Sequence, residues 1–162
     1  MTQPHTLFLE TEADTARLAK AFAEHLRAGD ALLLSGGLAA GKTYFVQAAV
    51  AALGSDDPVS SPTYTLANIY SAPSGPIVHV DAYRLDSAVD FVDLALEDEL
   101  ELGVAFIEWG AMLAEEFDAW VALDLKPDAD NETARDARLN SFGKRGAALL
   151  ENALTTFNKG AA

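Results

Sequence analysis

The chain has 162 residues, half of them hydrophobic, and a net charge of −14 from 25 acidic and 11 basic side chains. Its length and hydrophobic fraction suit one compact domain over residues 1–162, without a linker or a repeat. The charge disfavours direct binding to DNA or tRNA, and the sequence has neither an 18-residue apolar run for a membrane helix nor any cysteine for disulfides or thiolate metal sites. The N-terminal residues lack the pattern of a secretory signal, so we expect a cytoplasmic protein.

The predicted elements alternate between strands and helices. A short strand at residues 6–9 comes first, and Thr11 with Asp14 resembles a capping box that opens a helix to about residue 27. Further strands are predicted at 31–35, 64–70, 77–81, 104–108, 120–125 and, as an edge strand, 137–142; further helices are predicted at 43–53, 87–102 and 145–157. This order predicts an α/β fold of the P-loop NTPase type, a layered sheet with a mainly parallel core and antiparallel edge strands.

A phosphate-binding motif lies between the strand at 31–35 and the helix at 43–53. Residues 36–43, here called the phosphate loop, match G-x-x-x-x-G-K-[ST]. Loop N–H groups and the helix N-terminus attract phosphates, Lys42 reaches the β- and γ-phosphates, and the Thr43 hydroxyl suits Mg²⁺. The alternative is a glycine turn between core elements, which the flanking strand and helix disfavour. The predicted nucleotide-binding residues are Gly36, Gly37, Leu38, Ala39, Ala40, Gly41, Lys42 and Thr43.

Two later strands end in carboxylates. Asp81 follows the apolar strand at 77–80, and Glu108 follows the strand at 104–107. Beside a phosphate loop, an acid at a strand end can hold Mg²⁺ or orient the attacking water, and the sequence does not separate these two roles. His79 has two interpretations, a catalytic role or a strand residue that points to the opposite face, and its alternation with Val78 and Val80 favours the second.

Few basic side chains follow the phosphate loop. Between residues 44 and 134 only Arg84 and Lys126 are basic, whereas kinases need several cations around the transferring phosphoryl group. The sequence also lacks an Asn-Lys-x-Asp run that would read guanine, which favours ATP over GTP. Slow ATP hydrolysis coupled to a partner fits better than rapid small-molecule phosphorylation.

Four motifs in order carry a family resemblance. The phosphate loop, SPTYTL at 61–66, HVDAYRL at 79–85 and IEW at 107–109 occur in the order and spacing of the TsaE family, and the match extends over roughly residues 11–150. The chain therefore resembles the bacterial ATPases of tRNA threonylcarbamoyladenosine biosynthesis. The resemblance implies partners TsaB and TsaD, with tRNA (modified at adenosine 37) reached only through that complex.

The resemblance also implies roles for particular residues. Lys42 and Thr43 would bind phosphate and Mg²⁺, Asp81 and Glu108 would serve metal binding and hydrolysis, and Trp109 would support activity, although a tryptophan at a strand end is also typical of core packing. Residues 61–65 would form a mobile segment near the γ-phosphate. Arg135 resembles a position near the nucleotide, and Thr11, or alternatively Thr15, is a candidate for contact with adenine.

The phosphate loop departs from the family pattern Gly-Asp-Leu-Gly-Ala-Gly-Lys-Thr at two positions. Gly37 replaces the aspartate, and Ala39 replaces a glycine, which restricts the backbone at that position. We expect binding to survive, because the signature glycines and Lys42 remain. Two alternatives to a partner-coupled ATPase stay open: an independent P-loop kinase for a small molecule, and a nucleotide-sensing interaction protein that does not hydrolyse.

Overall fold

Seven strands form one sheet in the parts of the chain that the structure, a computed structural model, describes: residues 4–37 and 40–160. The strands are β1 (His5–Leu9), β2 (Ala31–Ser35), β3 (Ala67–Ala72), β4 (Gly75–Asp81), β5 (Val104–Glu108), β6 (Trp120–Pro127) and β7 (Arg135–Phe142). The helices are α1 (Glu12–Ala23), α2 (Lys42–Ala52), α3 (Ala88–Val92), α4 (Glu97–Leu102) and α5 (Gly143–Gly160), with 3₁₀ helices at Ala82–Arg84 and Gly110–Glu116. None of the described helices combines the length and hydrophobicity needed to cross a membrane.

The centre of the sheet is parallel. The strand order is β1-β7-β6-β2-β5-β4-β3, and β6, β2, β5 and β4 run in the same direction. The outer strands β1 and β3 are antiparallel to their neighbours, which confirms the predicted fold class. Because parallel strands end at the same edge, the ends of β2, β4 and β5 bring the phosphate loop and both strand-end carboxylates together.

Apolar cores cover both faces of the sheet. Alternate residues of β2 point to opposite faces, with Leu32 and Leu34 in one core and Leu33 in the other. Helices α1, α2 and α5 contribute the buried side chains of the first core, including Phe22 and Phe45, whose rings pack edge to face. The second core is closed by shorter elements, α3 and the 3₁₀ helix at Gly110–Glu116. The long helices therefore cover one face of the sheet, and α2, which follows the phosphate loop, is one of them.

Four predicted elements differ from the structure. The predicted helix at 87–102 is two short helices, α3 and α4, because Ala95 adopts a left-handed conformation (φ 56°) that interrupts the helical hydrogen bonds. The strand predicted from Tyr64 begins at Ala67, because Leu66 (φ 68°) ends a turn in which its N–H donates to the Pro62 carbonyl. The first helix ends at Ala23, and β7, expected at the edge, lies between β1 and β6.

A glycine before β5 permits close contact with β4. Gly103 is buried, and a Cβ atom there would overlap the carbonyl oxygen of Pro76. We expect Gly103→Ala to lower the free energy of unfolding by about 3 kcal/mol, because the two strand backbones must separate. Chemical denaturation measures this loss. The matched control is Gly37→Ala, where an added Cβ meets no atom within 4 Å; an equal effect of both substitutions would contradict the packing argument.

Candidate functional site

A pocket of about 270 Å³ opens at the carboxyl edge of the parallel strands. The phosphate loop, the ends of β4 and β5, and the segment before β3 form its walls. Its lining residues are Gly37, Ala40, Gly41, Lys42, Thr43, Tyr44, Ser61, Thr63, Asp81, Glu108 and Trp109. The structure thus brings together most of the side chains that the four sequence motifs single out.

Lys42 is the first residue of α2 and is almost fully buried, with 9% of its surface exposed. Its Nζ donates to the Gly36 carbonyl at 2.6 Å and lies 3.9 Å from the centre of the Trp109 ring. Burial lowers the pKa of the Lys42 ammonium, and the charges of Glu108 and Asp81 act in the opposite direction. A cation held between a carbonyl and an aromatic face beside two carboxylates is suited to exchange these contacts for phosphate oxygens.

Asp81 and Glu108 are paired across the boundary between β4 and β5. Their surfaces are only 5% and 3% exposed, and both line the pocket. Asp81 Oδ1 also accepts the Tyr83 N–H at 3.0 Å, which caps the 3₁₀ helix after β4. Burial of two carboxylates costs free energy of solvation, even beside a lysine. This cluster of buried charges therefore indicates a functional site.

His79, whose sequence pattern favours a structural strand position over a catalytic role, contacts a predicted site residue. It is fully buried, and its Nε2 donates to Glu108 Oε2 at 2.5 Å. Its side chain points away from the face of Val78 and Val80, to the opposite face of the sheet, which Asp81 and Glu108 share. The alternation of side chains along β4 predicts that His79 shares a face with Asp81, whereas its contact with Glu108 depends on the register of β4 against β5.

Trp109 is an exposed residue in a strained conformation. Its backbone is left-handed (φ 59°, ψ 36°), which is rare for a bulky side chain, and its N–H donates to the Leu34 carbonyl at 2.6 Å. The ring is 36% exposed and packs against Tyr83, with the two ring centres 5.5 Å apart. The ring therefore covers the pocket beside Lys42 rather than filling the core, and such strain is concentrated at functional sites.

The SPTYTL segment reaches the pocket through Ser61 and Thr63. Their hydroxyl groups are 2.7 Å apart, and the Thr63 carbonyl accepts a hydrogen bond from Arg84 at 3.1 Å. Tyr64 points to solvent with 89% of its surface exposed. The predicted position of this segment beside the site agrees with the structure, whereas its predicted mobility stays a prediction.

Four other predicted nucleotide-binding residues lie either outside the pocket lining or outside the described residues. Gly36 (φ 138°) does not line the pocket, and a Cβ there would overlap the Leu125 carbonyl oxygen. Arg135 Nε donates to the Ala40 carbonyl at 2.8 Å, so it supports the phosphate loop from outside the pocket lining. Leu38 and Ala39 lie outside the described residues, and so does the expected effect of Ala39 on the backbone.

Thr11 has a structural position instead of a pocket position. It is the N-cap of α1, its hydroxyl accepts the Asp14 N–H at 3.2 Å, and the reciprocal contacts confirm the predicted capping box. It is not among the residues that line the pocket, so its proposed contact with adenine gains no support from the pocket geometry.

We expect Thr11→Ala to lower the free energy of unfolding by about 1 kcal/mol, because α1 loses its N-cap hydrogen bond. Thermal or chemical unfolding measures the loss. The control is Thr155→Ala on α5, where the exposed hydroxyl only returns a bond to the Glu151 carbonyl of its own helix. Loss of ATP affinity in Thr11→Ala without loss of stability would instead favour a direct contact with the nucleotide.

The oxygen ligands in the pocket suit Mg²⁺. Thr43 supplies a hydroxyl, and Asp81 and Glu108 supply carboxylates, which are the ligands that this hard cation prefers. In the described ranges no group of three or more His, Cys, Asp or Glu side chains is arranged to hold a metal by itself. The residues present therefore fit an ion that would be coordinated partly by these side chains and partly by the phosphate oxygens of a bound nucleotide.

Comparisons with known proteins agree with these motifs. The family model "Threonylcarbamoyl adenosine biosynthesis protein TsaE" matches residues 9–137. The TsaE protein of Rickettsia typhi is 36% identical over 110 residues, which is 67% of this chain and 75% of that protein. The TsaE protein of Treponema pallidum is 40% identical over 119 residues, 72% of this chain and 87% of that protein. Both relatives are named as tRNA threonylcarbamoyladenosine biosynthesis proteins.

A solved structure shares the whole fold. The crystal structure of Bacillus subtilis YdiB superposes with a TM-score of 0.78 at 25% sequence identity, covering 96% of this chain and 97% of that one. The family model spans the phosphate loop, both strand-end carboxylates and Trp109. Family match, relatives and fold lead to the same conclusion: this chain belongs to the TsaE family.

Proposed function

We propose that this chain binds Mg-ATP and hydrolyses it in the biosynthesis of threonylcarbamoyladenosine at position 37 of tRNA, acting with TsaB and TsaD. One observation carries the proposal: Lys42, Thr43, Asp81 and Glu108 line one pocket, at the end of a parallel sheet where nucleotides bind. Membership in the TsaE family supports the pathway. A role in tRNA modification implies action in the cytoplasm.

The residues divide the chemistry between them. Lys42 leaves the Gly36 carbonyl and the Trp109 ring to hold the β- and γ-phosphates, where its charge offsets the negative charge of the transition state. Thr43 with Asp81 or Glu108 would hold Mg²⁺, which would neutralise phosphate charge when bound. The other carboxylate orients the attacking water. Trp109 covers the site and excludes bulk water from the phosphates.

The charge of the chain supports an indirect role toward tRNA. Binding to a nucleic acid depends on basic side chains that displace counterions from phosphates, whereas this chain carries −14. We therefore assign tRNA to the partner proteins and ATP to this chain. Turnover is expected to be slow in isolation and faster with TsaB and TsaD, because a partner-coupled ATPase completes its cycle only in the complex.

The small-molecule kinase is disfavoured by the pocket. Lys42 is the only basic side chain among the described residues that line it, and Arg84 instead donates to the Thr63 carbonyl. A kinase holding two anionic substrates needs more positive charge around the transferring group. The described residues that line the pocket do not supply this additional positive charge.

The experiment that tests the proposal measures ATP turnover by the wild-type chain alone, with TsaB and TsaD, and with either partner singly. We expect a clear increase only with both partners, together with formation of threonylcarbamoyladenosine when tRNA and an activated threonylcarbamoyl donor are added. Calorimetry of Mg-ATP binding to the isolated chain separates the steps. Binding without turnover in any mixture would favour the nucleotide-sensing alternative, and no binding would contradict the proposed function altogether.

A further inference from the structure

The Glu108 carboxylate is held by a neighbour that does not line the pocket. His79 lies opposite Phe106 in the register of β4 and β5, so Glu108 is its diagonal neighbour on the same face of the sheet. The 2.5 Å contact between His79 Nε2 and Glu108 Oε2 engages one carboxylate oxygen. The other oxygen, Oε1, is then the one that can turn to a ligand in the pocket.

Tyr70 extends this contact to the segment before β3. Its hydroxyl lies 2.9 Å from His79 Nδ1 and 3.2 Å from the Ser60 carbonyl oxygen. Tyr70 and His79 are both buried, with 4% and 0% of their surfaces exposed, so water does not replace these contacts easily. We call the series Ser60, Tyr70, His79 and Glu108 the hydrogen-bond chain.

The hydrogen-bond chain joins two walls of the pocket. Ser60 directly precedes Ser61, which lines the pocket with Thr63, and Glu108 lines the same pocket from the end of β5. The Tyr70 hydroxyl has one proton, so it donates at any moment either to Ser60 or to His79. A movement of Ser60 therefore changes the partner of Tyr70, and with it the hydrogen bonding of the histidine that holds Glu108.

We propose that His79 is a positioning residue that acts by orienting the Glu108 carboxylate. Tyr70 links this pair to Ser60, so that the position of segment 60–63 is coupled to the orientation of Glu108. The inference rests on the proposed ATP hydrolysis and adds to it a means by which the segment beside the phosphates controls the alignment of Glu108. His79 touches neither the nucleotide nor the attacking water. Its contribution is the fixed orientation of a buried carboxylate, comparable to the partners that orient metal ligands.

Substitutions at His79 separate positioning from packing. In His79→Leu we expect the kcat of ATP hydrolysis to fall about 30-fold, while the Kd for Mg-ATP changes less than about 3-fold, because Glu108 loses the partner that orients it and the phosphate-binding residues are unchanged. His79→Gln places an amide donor where Nε2 lies and should keep kcat within about 5-fold of the wild type. His79→Asn, whose amide reaches only the Nδ1 position, should behave like leucine. The rescue by glutamine alone is a result that a packing role does not produce.

Tyr70→Phe tests the link to the segment. It keeps the ring and removes the hydroxyl, while the Ser60 carbonyl still accepts a hydrogen bond from Asn68 at 3.2 Å. We expect kcat to fall about 5-fold, as for one lost hydrogen bond, with unchanged Kd for Mg-ATP. The matched control is His25→Gln, which alters a histidine bonded to Thr156 at 2.7 Å outside the pocket lining and should leave kcat unchanged.

All variants are assayed with TsaB and TsaD beside the wild type, after thermal unfolding has shown that they fold. Wild-type kcat in His79→Leu, equal losses in the glutamine and asparagine variants, or parallel losses of kcat and ATP affinity would each overturn the inference. Should the leucine variant not fold, the comparison of glutamine with asparagine decides. If the wild type itself shows no turnover, the proposed function fails as well; if it turns over ATP and His79→Asn does too, only this inference fails.

Discussion

Lys42→Ala is expected to lower the affinity for Mg-ATP about 100-fold, equivalent to roughly 2.7 kcal/mol, and to abolish measurable turnover. The reason is that Lys42 is the only basic side chain among the described residues of the pocket, so no other side chain there can replace its positive charge. Its ammonium group contacts the Gly36 carbonyl and the Trp109 ring, both of which a phosphate can replace.

Calorimetry with Mg-ATP measures the loss of affinity, and a phosphate-release assay with TsaB and TsaD measures the loss of turnover. The control is Lys20→Ala on α1, which makes the same change in net charge at an exposed position outside the pocket lining. The affinity of Lys20→Ala for Mg-ATP should stay within about 2-fold of the wild type, because solvent and salt screen the charge of an exposed lysine. Unchanged affinity in Lys42→Ala would remove the phosphate loop from nucleotide binding.

The sequence predicts the centre of this molecule well because its signals are local. The strand Ala31–Ser35 has the predicted bounds, and the helix that follows begins one residue before its predicted start, since an apolar run, a glycine-rich turn and an apolar helix are each read within a few residues. Asp81 and Glu108 could be placed at one edge because parallel strands share that edge.

The features that could not be predicted depend on contacts between distant residues. The break of the predicted helix at Ala95 and the late start of β3 after Leu66 both rest on left-handed backbones at residues that rarely adopt them. Trp109 is left-handed as well, so its position over Lys42 has no local signal. The contact of His79 with Glu108 requires the register of β4 against β5, which a single sequence does not contain.

Asp81 and Glu108 have different surroundings at the ends of β4 and β5. Because Asp81 and Glu108 lie side by side yet have different neighbours, they need not respond alike to loss of charge. Asp81 accepts a backbone N–H from Tyr83, which asparagine can also accept, so Asp81→Asn preserves the 3₁₀ turn. Glu108→Gln keeps an oxygen acceptor for His79 Nε2, removes the negative charge from the pocket and replaces the second oxygen with an NH₂ group.

Asp81→Asn and Glu108→Gln are each expected to lower kcat about 100-fold or more while changing the Kd for ATP less than about 5-fold, because the lost charge serves metal binding or the attacking water and not the grip on the phosphates. Turnover as a function of Mg²⁺ concentration separates the two roles: the residue that holds the ion shows activity partly restored by excess Mg²⁺, and the one that orients water does not. The control is Asp124→Asn, an acid on β6 that contacts Ser35 at 3.1 Å and does not line the pocket; it should retain wild-type turnover. Wild-type turnover in both pocket variants would show that these two buried carboxylates stabilise the sheet edge and take no part in hydrolysis.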